Sequence, residues 1–150
     1  MNGKSIDEIF RDVNLPPKWI YCFNGHCPRC GECVHFITGK YVGDRLVYGL
    51  AVFPTAVRDG MPCRYFKQAR VVTFAWGFRN LFGHVRQCDV AGIRLAMRDF
   101  LGNRTAYYRY GAGQYKLTPE QQQGIADIFR RRGYDGKIEF EHYADEPDLT

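Results

Sequence analysis

The chain has 150 residues, a formal charge of +5, 25% charged and 45% hydrophobic residues, and 23 Phe, Tyr and Trp side chains counted in the 15% aromatic share. That length and mixture predict one ordinary globular domain, 1–150, rather than a disordered or fibrous chain. No stretch approaches the roughly 20 apolar residues of a membrane helix, and the charged start MNGKSIDEIF lacks the apolar run of a secretory signal. A cytoplasmic location with no membrane partner is the expectation.

The first element predicted is a short helix. Ser5 and Glu8 have capping-box spacing, and Ile6, Ile9, Phe10 and Val13 recur on one face. Leu15-Pro16-Pro17 ends it.

A cysteine-rich portion, 18–67, follows. Cys22, Cys27, Cys30 and Cys33 lie in YCFNGHCPRCGECVHF, and Cys63 lies in MPCRYF. In a reducing compartment, thiols this dense argue for a metal rather than disulfides. Pro28 suits the first position of a helix over 28–38 ended by Gly39, which would put Cys30 and Cys33 on one face.

Structural zinc takes four thiolate or imidazole ligands in a tetrahedron. The set chosen is Cys22, Cys27, Cys33 and Cys63, with Cys30 as rival for one place and His26 and His35 as further donors. The alternative cofactor is an iron–sulfur cluster, because Cys22-x4-Cys27-x2-Cys30 with Cys63 beyond has plant-ferredoxin spacing. The basic body argues against it.

Strands are expected over 45–53 and 70–78, both rich in β-branched and aromatic residues. Pro54, Asp59-Gly60 and Pro62 make the loop between them turn-rich. In the second strand Val72, Phe74, Trp76 and Phe78 alternate with smaller residues. A helix over 90–101 is capped by Asp89 and stopped by Gly102. Residues 105–110 (TAYYRY) read as a strand turning at Gly111-Ala112-Gly113 towards Tyr115–Leu117. Thr118, Pro119 and Gln121 then open a strong helix with Ile125, Ile128 and Phe129 inside, Arg130, Arg131 and Arg132 at its end and Gly133 beyond. A strand near 137–141 completes a small antiparallel sheet. The fold class is α+β, with about three to four helices and a metal-clipped N-terminal segment.

Residues 138–150 form an acidic tail with Glu139, Glu141, Asp145, Glu146 and Asp148 and no Lys or Arg. The body before it is therefore more basic than the whole chain, which suits nucleic acid or an acidic protein as partner. Arg94, Arg98, Arg109, Arg130, Arg131 and Arg132, interleaved with tyrosines, are the candidate anion-binding residues. The competing reading is a half-buried sheet whose arginines stack on its own rings. His84 and Cys88 carry no family signature of a catalytic pair, and no phosphate loop, dinucleotide fingerprint or HExxH is present. The expected function is a zinc-stabilised, non-catalytic binding or regulatory module. An iron–sulfur redox protein is the first alternative and an enzyme of unassigned reaction the second.

The segments CFNGHCPRCGEC, CRYF, YYRYGAG and LTPEQQQGIADIFRRRGY together resemble a family of short bacterial proteins from gut anaerobes (Bacteroidetes), catalogued as a domain of unknown function. The resemblance implies that Cys22, Cys27, Cys33 and Cys63 are the patterned thiols and Cys30 is incidental. It brings no activity with it. The family's usual glutamate after YYRYG is replaced here by Ala112-Gly113-Gln114.

Overall fold

The computed structural model describes residues 3–59 and 61–150. They form two compact units, one up to Val71 together with Pro147–Thr150, the other Val72–Glu146. Among the described residues there are five α-helices and two sheets of two strands each, so the class is α+β. The turn expected at Asp59-Gly60 ends on a residue outside the described set.

In the first unit, α1 spans Ile6–Arg11 with the expected box. The Glu8 amide donates to Ser5 Oγ at 3.2 Å, and the Ser5 amide to Glu8 Oε2 at 2.9 Å. Its buried residue is Phe10, which packs with Val34, Ile37 and Ala69, flanked by Val13, Trp19, Tyr41 and Leu149.

Strand β1 (Ile20–Cys22) pairs with β2 (Leu50–Val52), Ile20 opposite Leu50 and Cys22 opposite Val52. The pair is parallel, which corrects the all-antiparallel expectation. Parallel strands need a crossover, usually a helix. Here α2 (Val34–Lys40) supplies it and packs on β1.

Helix α2 starts six residues later than Pro28 suggested. Tight turns come first, with the Cys30 amide donating to the Cys27 carbonyl and the Cys33 amide to the Cys30 carbonyl, each at 3.2 Å. Cys33 itself is extended (φ −95°, ψ 125°) and forms an antiparallel bridge with Gln68. The Val34 amide bonds the Lys67 carbonyl and the Ala69 amide the Glu32 carbonyl, both at 2.8 Å. This long-range pairing holds the backbone out of the helix, so Cys30 and Cys33 do not share a helical face. Gly39 does not stop α2 either. It lies inside it, buried against β1.

The strand expected over 45–53 shortens to Leu50–Val52, because its partner β1 has only three residues.

In the second unit, β3 (Val71–Trp76) pairs with β4 (His142–Pro147). Asp148 donates its amide to the Arg70 carbonyl, and Glu141 donates to the Gly77 carbonyl. The residue numbers rise on one strand as they fall on the other, so this pair is antiparallel. The last strand lies five residues beyond the expected 137–141.

Helix α3 (Gln87–Leu101) begins earlier than expected, and Asp89 is not its cap. Asp89 lies in the first turn and accepts from Tyr134 Oη at 2.5 Å and Arg86 Nε at 3.1 Å. Residues 104–112 correct the largest error. They form helix α4 (Arg104–Ala112), not a strand. Asn103 caps it through a 2.8 Å bond from the Ala106 amide to its side-chain oxygen. Gly113 ends it at φ +83°, left-handed backbone that glycine adopts without a Cβ clash. Helix α5 (Pro119–Arg131) has the expected Thr118–Gln121 box and buries Ile125, Ile128 and Phe129. These pack with Ile93, Met97, Tyr107 and Leu117 as the core of this unit.

The acidic segment is folded rather than trailing. In the first unit, Asp148 pairs with Arg70 at 2.7 Å. In the second, Asp145 accepts from Thr73 Oγ1 at 2.6 Å, and Glu146 pairs with Lys116.

Candidate metal centre

The local chain explains how the thiols meet. Cys22 ends β1, where parallel pairing fixes its backbone. Two residues on, Asn24 makes a turn. Its side-chain oxygen accepts from the His26 amide at 3.2 Å and its carbonyl from the Cys27 amide at 3.3 Å. This returns Cys27 towards the strand end. The turns over 27–33 carry the chain on to Cys33, which the bridge to Gln68 anchors as α2 begins. Cys63 arrives from the loop after β2 and begins a further turn, its carbonyl accepting from Phe66 at 3.1 Å.

Cys22, Cys27, Cys30, Cys33 and Cys63 all line one cavity of about 20 Å³. That is room for a single water-sized or ion-sized body. Phe36, Val52, Phe53 and Phe66 supply apolar wall. Arg29 lies over the Phe66 ring with its guanidinium 3.4 Å from the centroid. All six cysteines of the chain are free thiols.

Burial pushes the Cys22 thiol up from its ordinary value. The Asn24 amide, donating to its sulfur, opposes this. Negative charge on Cys33, Cys27 and Cys63 would push it further up. Cys30 lines the cavity as well, and its Sγ also makes a weak 3.8 Å contact with the Gly25 carbonyl. Among the described residues, no group of three or more His, Cys, Asp or Glu side chains stands where it could hold a metal ion. What the five cysteines share is the lining of one small cavity.

His35 also lines the cavity. Its Nδ1 is 2.6 Å from the Ile20 carbonyl and its ring 4.9 Å from that of Trp19. Burial lowers its pKa, while the Ile20 bond works the other way. The neutral ring donating from Nδ1 leaves Nε2 as an acceptor. His26 is exposed in the turn.

Sequence reasoning passed over two features. Asn24 lies two residues after Cys22, a spacing at which the backbone amide reaches the sulfur, and this was visible in the chain. The cavity wall comes from residues 52–66, which only the β1–α2–β2 crossover brings to the thiols.

The arginines form no sheet-borne stacking platform, because TAYYRY is helical. Arg94 lies 5.0 Å from the Phe82 ring and Arg98 5.6 Å from Tyr107. Arg109 lies 5.3 Å from Tyr115 and bonds its hydroxyl at 2.6 Å. Arg130 pairs with Asp127 at 3.1 Å. Arg131 is exposed, and Arg132 lies against Gly92 of α3. Much of this group is engaged by the protein's own rings and acids. Cys88 is exposed in the first turn of α3 and His84 is exposed before it.

Residues 3–149 match the model of a family described as a family of unknown function, DUF6078. The chain belongs to that family. No curated protein matches it, and neither does any solved structure. The match spans nearly the whole chain, so both compact units are part of what defines a DUF6078 protein.

Proposed function

We propose that Cys22, Cys27, Cys33 and Cys63 hold one zinc ion that clips the first unit together, and that the protein is a non-catalytic binding module. The observation that supports this reading is that all five clustered cysteines line one ion-sized space, and the choice of these four over Cys30 follows the motif resemblance and the weak contact of Cys30 with the Gly25 carbonyl. Four thiolates are a common donor set of structural zinc, and such a closed set leaves no open position for chemistry. The Asn24 amide supports a thiolate at Cys22 in the way outer groups support metal ligands. A reducing cytoplasmic setting goes with this reading, as does the bacterial origin that the motif likeness implies.

The size of the space, about 20 Å³, favours one ion over an iron–sulfur cluster. An enzyme is the weaker reading. The open cleft of about 820 Å³ beside β2 is lined by Leu50, Phe53, Met61 and Tyr65 with Arg58 and Arg64, and among the described residues no carboxylate, His or Cys lines it. The basic surface makes an acidic partner, nucleic acid included, the class to test.

Elemental analysis of the full chain purified without added chelator tests the metal. The expected result is about one zinc per chain in a colourless protein. Visible charge-transfer absorption with bound iron, or no metal taken up on reconstitution, overturns it. Binding to random oligonucleotides across a salt series tests the partner class, and a steep loss with salt is expected if phosphates are held.

A further inference from the structure

The apolar edge beside the thiol site shares Val52 and Phe53 with the cavity wall but presents further apolar side chains to solvent. Residues 46–57 (LVYGLAVFPTAV) contain no Lys, Arg, Asp or Glu. Val47 is 95% exposed, Tyr48 89%, Phe53 76% and Phe23 61%. Among the described residues, strand β2 has β1 on one side and no strand on the other. Among the described residues, no hydrogen bond outside the β1–β2 pairing ends on residues 46–52. Natural edge strands are usually guarded by charge, proline or a covering element. Here the guard is Pro54, which stops any added pairing after Phe53.

We propose that this edge pairs with the same edge of a second copy of the chain, antiparallel about Ala51. Three features favour a copy over another partner. The first is register. Antiparallel pairing about residue 51 places Leu50 opposite Val52 and Gly49 opposite Phe53, so each exposed Phe53 ring comes up beside the Tyr21 ring that already lies against the partner's Gly49, 3.8 Å from where a Cβ would stand. Ala51 is small at the two-fold axis, where bulk would hold the copies apart. The second is charge. The chain carries +5, and an uncharged edge lets two such chains meet without bringing their charges into the contact. A charged partner would gain nothing there. The third is area. Phe23, Tyr48 and Phe53 leave on the order of 450 Å² exposed, at roughly 200 Å² per ring. Leu46, Val47, Leu50 and Met61, each between 46% and 95% exposed, bring the patch to roughly 800 Å², what a standard interface buries per partner. Pairing of this kind gives a two-fold interface in which one patch serves both subunits.

The test is sedimentation of the full chain, metal-loaded as purified, over a concentration range reaching about 100 µM. Dimers of the 17.4 kDa chain are expected. Tyr48→Lys and Val47→Lys should each weaken the dimer, Tyr48→Lys roughly 30-fold or more, the effect of losing an aromatic anchor. Both side chains are in solvent, so the melting temperature of the monomer should stay unchanged. Ala51→Cys in a Cys88→Ser background should form a 51–51 interchain disulfide on mild oxidation, read by peptide mass, since paired strand residues lie within disulfide reach. A monomer throughout the range, lysine variants that dimerise like the parent, or a dimer with no 51–51 link would each overturn the proposal. The metal content of these variants should equal the parent's, so failure here is separable from failure of the zinc reading.

Discussion

A Cβ atom built on Gly39 would lie 2.5 Å from the carbonyl oxygen of Cys22. Helix α2 therefore rests on β1 at a spacing only glycine permits, and this seating fixes the end of β1 that carries Cys22. The obstructing atom is backbone, so it cannot swing away as a side-chain tip would. Gly39→Ala should destabilise the first unit by about 1–3 kcal/mol, the range for overpacking a fixed contact. Helix propensity alone predicts the opposite sign, since alanine is favoured by about 1 kcal/mol in a helix interior. Urea denaturation decides between them, and an unchanged or higher midpoint would show that α2 does not depend on this approach.

The thiol assignment is tested by comparing three serine variants. Cys22→Ser and Cys63→Ser each remove a proposed ligand, one from β1 and one from the distant loop. Both should lose zinc and melt lower by roughly 10 °C or more, given the large coupling of metal binding to folding. Cys30→Ser loses only a weak contact with the Gly25 carbonyl. It should keep one zinc and melt within about 3 °C of the parent, as surface changes away from special features do. Equal metal content and equal stability across all three would contradict the assignment.

What was legible in the sequence is what short-range chemistry decides. The Ser5–Glu8 and Thr118–Gln121 boxes are local hydrogen-bond pairs, and both helices start where those residues stand. Strand β3 was legible from its β-branched run. The failures come from pairings between distant residues. Pro28 is a sound local helix signal, but the Cys33–Gln68 bridge, 35 positions across in the chain, holds the backbone extended. RLVYGLAVF has the composition of a nine-residue strand, yet a strand lasts only as long as its partner, and β1 offers three residues. The five candidate thiols could be named from spacing alone. Their apolar wall and the electrostatic link from Cys22 to Cys27, Cys33 and Cys63 needed the crossover.

Acid should weaken the first unit through Asp148. Burial alone would raise this carboxyl, but bonds from Thr150 and Arg70 outweigh burial and hold it below its ordinary value of 3.8. Arg70 Nε donates to it at 2.8 Å and Thr150 Oγ1 at 2.6 Å. A carboxyl lowered on folding contributes stability that is fully present above its unfolded value. That stability is lost as pH falls through the lower folded value. Asp148→Asn should cost about 1–2 kcal/mol at pH 7, since the ion pair goes while some hydrogen bonding remains. Its stability should also fall less between pH 5 and pH 2 than the parent's. Parallel acid limbs for the two proteins would remove Asp148 from the account.

Helix α4 offers the sharpest test of how a chain of strand-forming residues becomes helical. Thr105, Tyr107, Tyr108 and Tyr110 all favour strands. The helix is imposed at its ends and by one buried ring. Asn103 Oδ1 caps the start, Gly113 turns left-handed at the end, and Tyr107 lies buried 5.0 Å from the Phe78 ring. Asn103→Ala should cost about 1 kcal/mol, and Asn103→Ser or Asn103→Asp much less, because each restores an acceptor for the first-turn amides. Gly113→Ala should cost more than Asn103→Ala. It meets left-handed backbone, and its Cβ would lie 2.7 Å from the Trp76 ring. Circular dichroism with thermal melts of the four variants checks the ranking. If Asn103→Ala proves as stable as the parent while Asn103→Asp does not, the cap is not what starts this helix, and its formation rests on Gly113 and Tyr107.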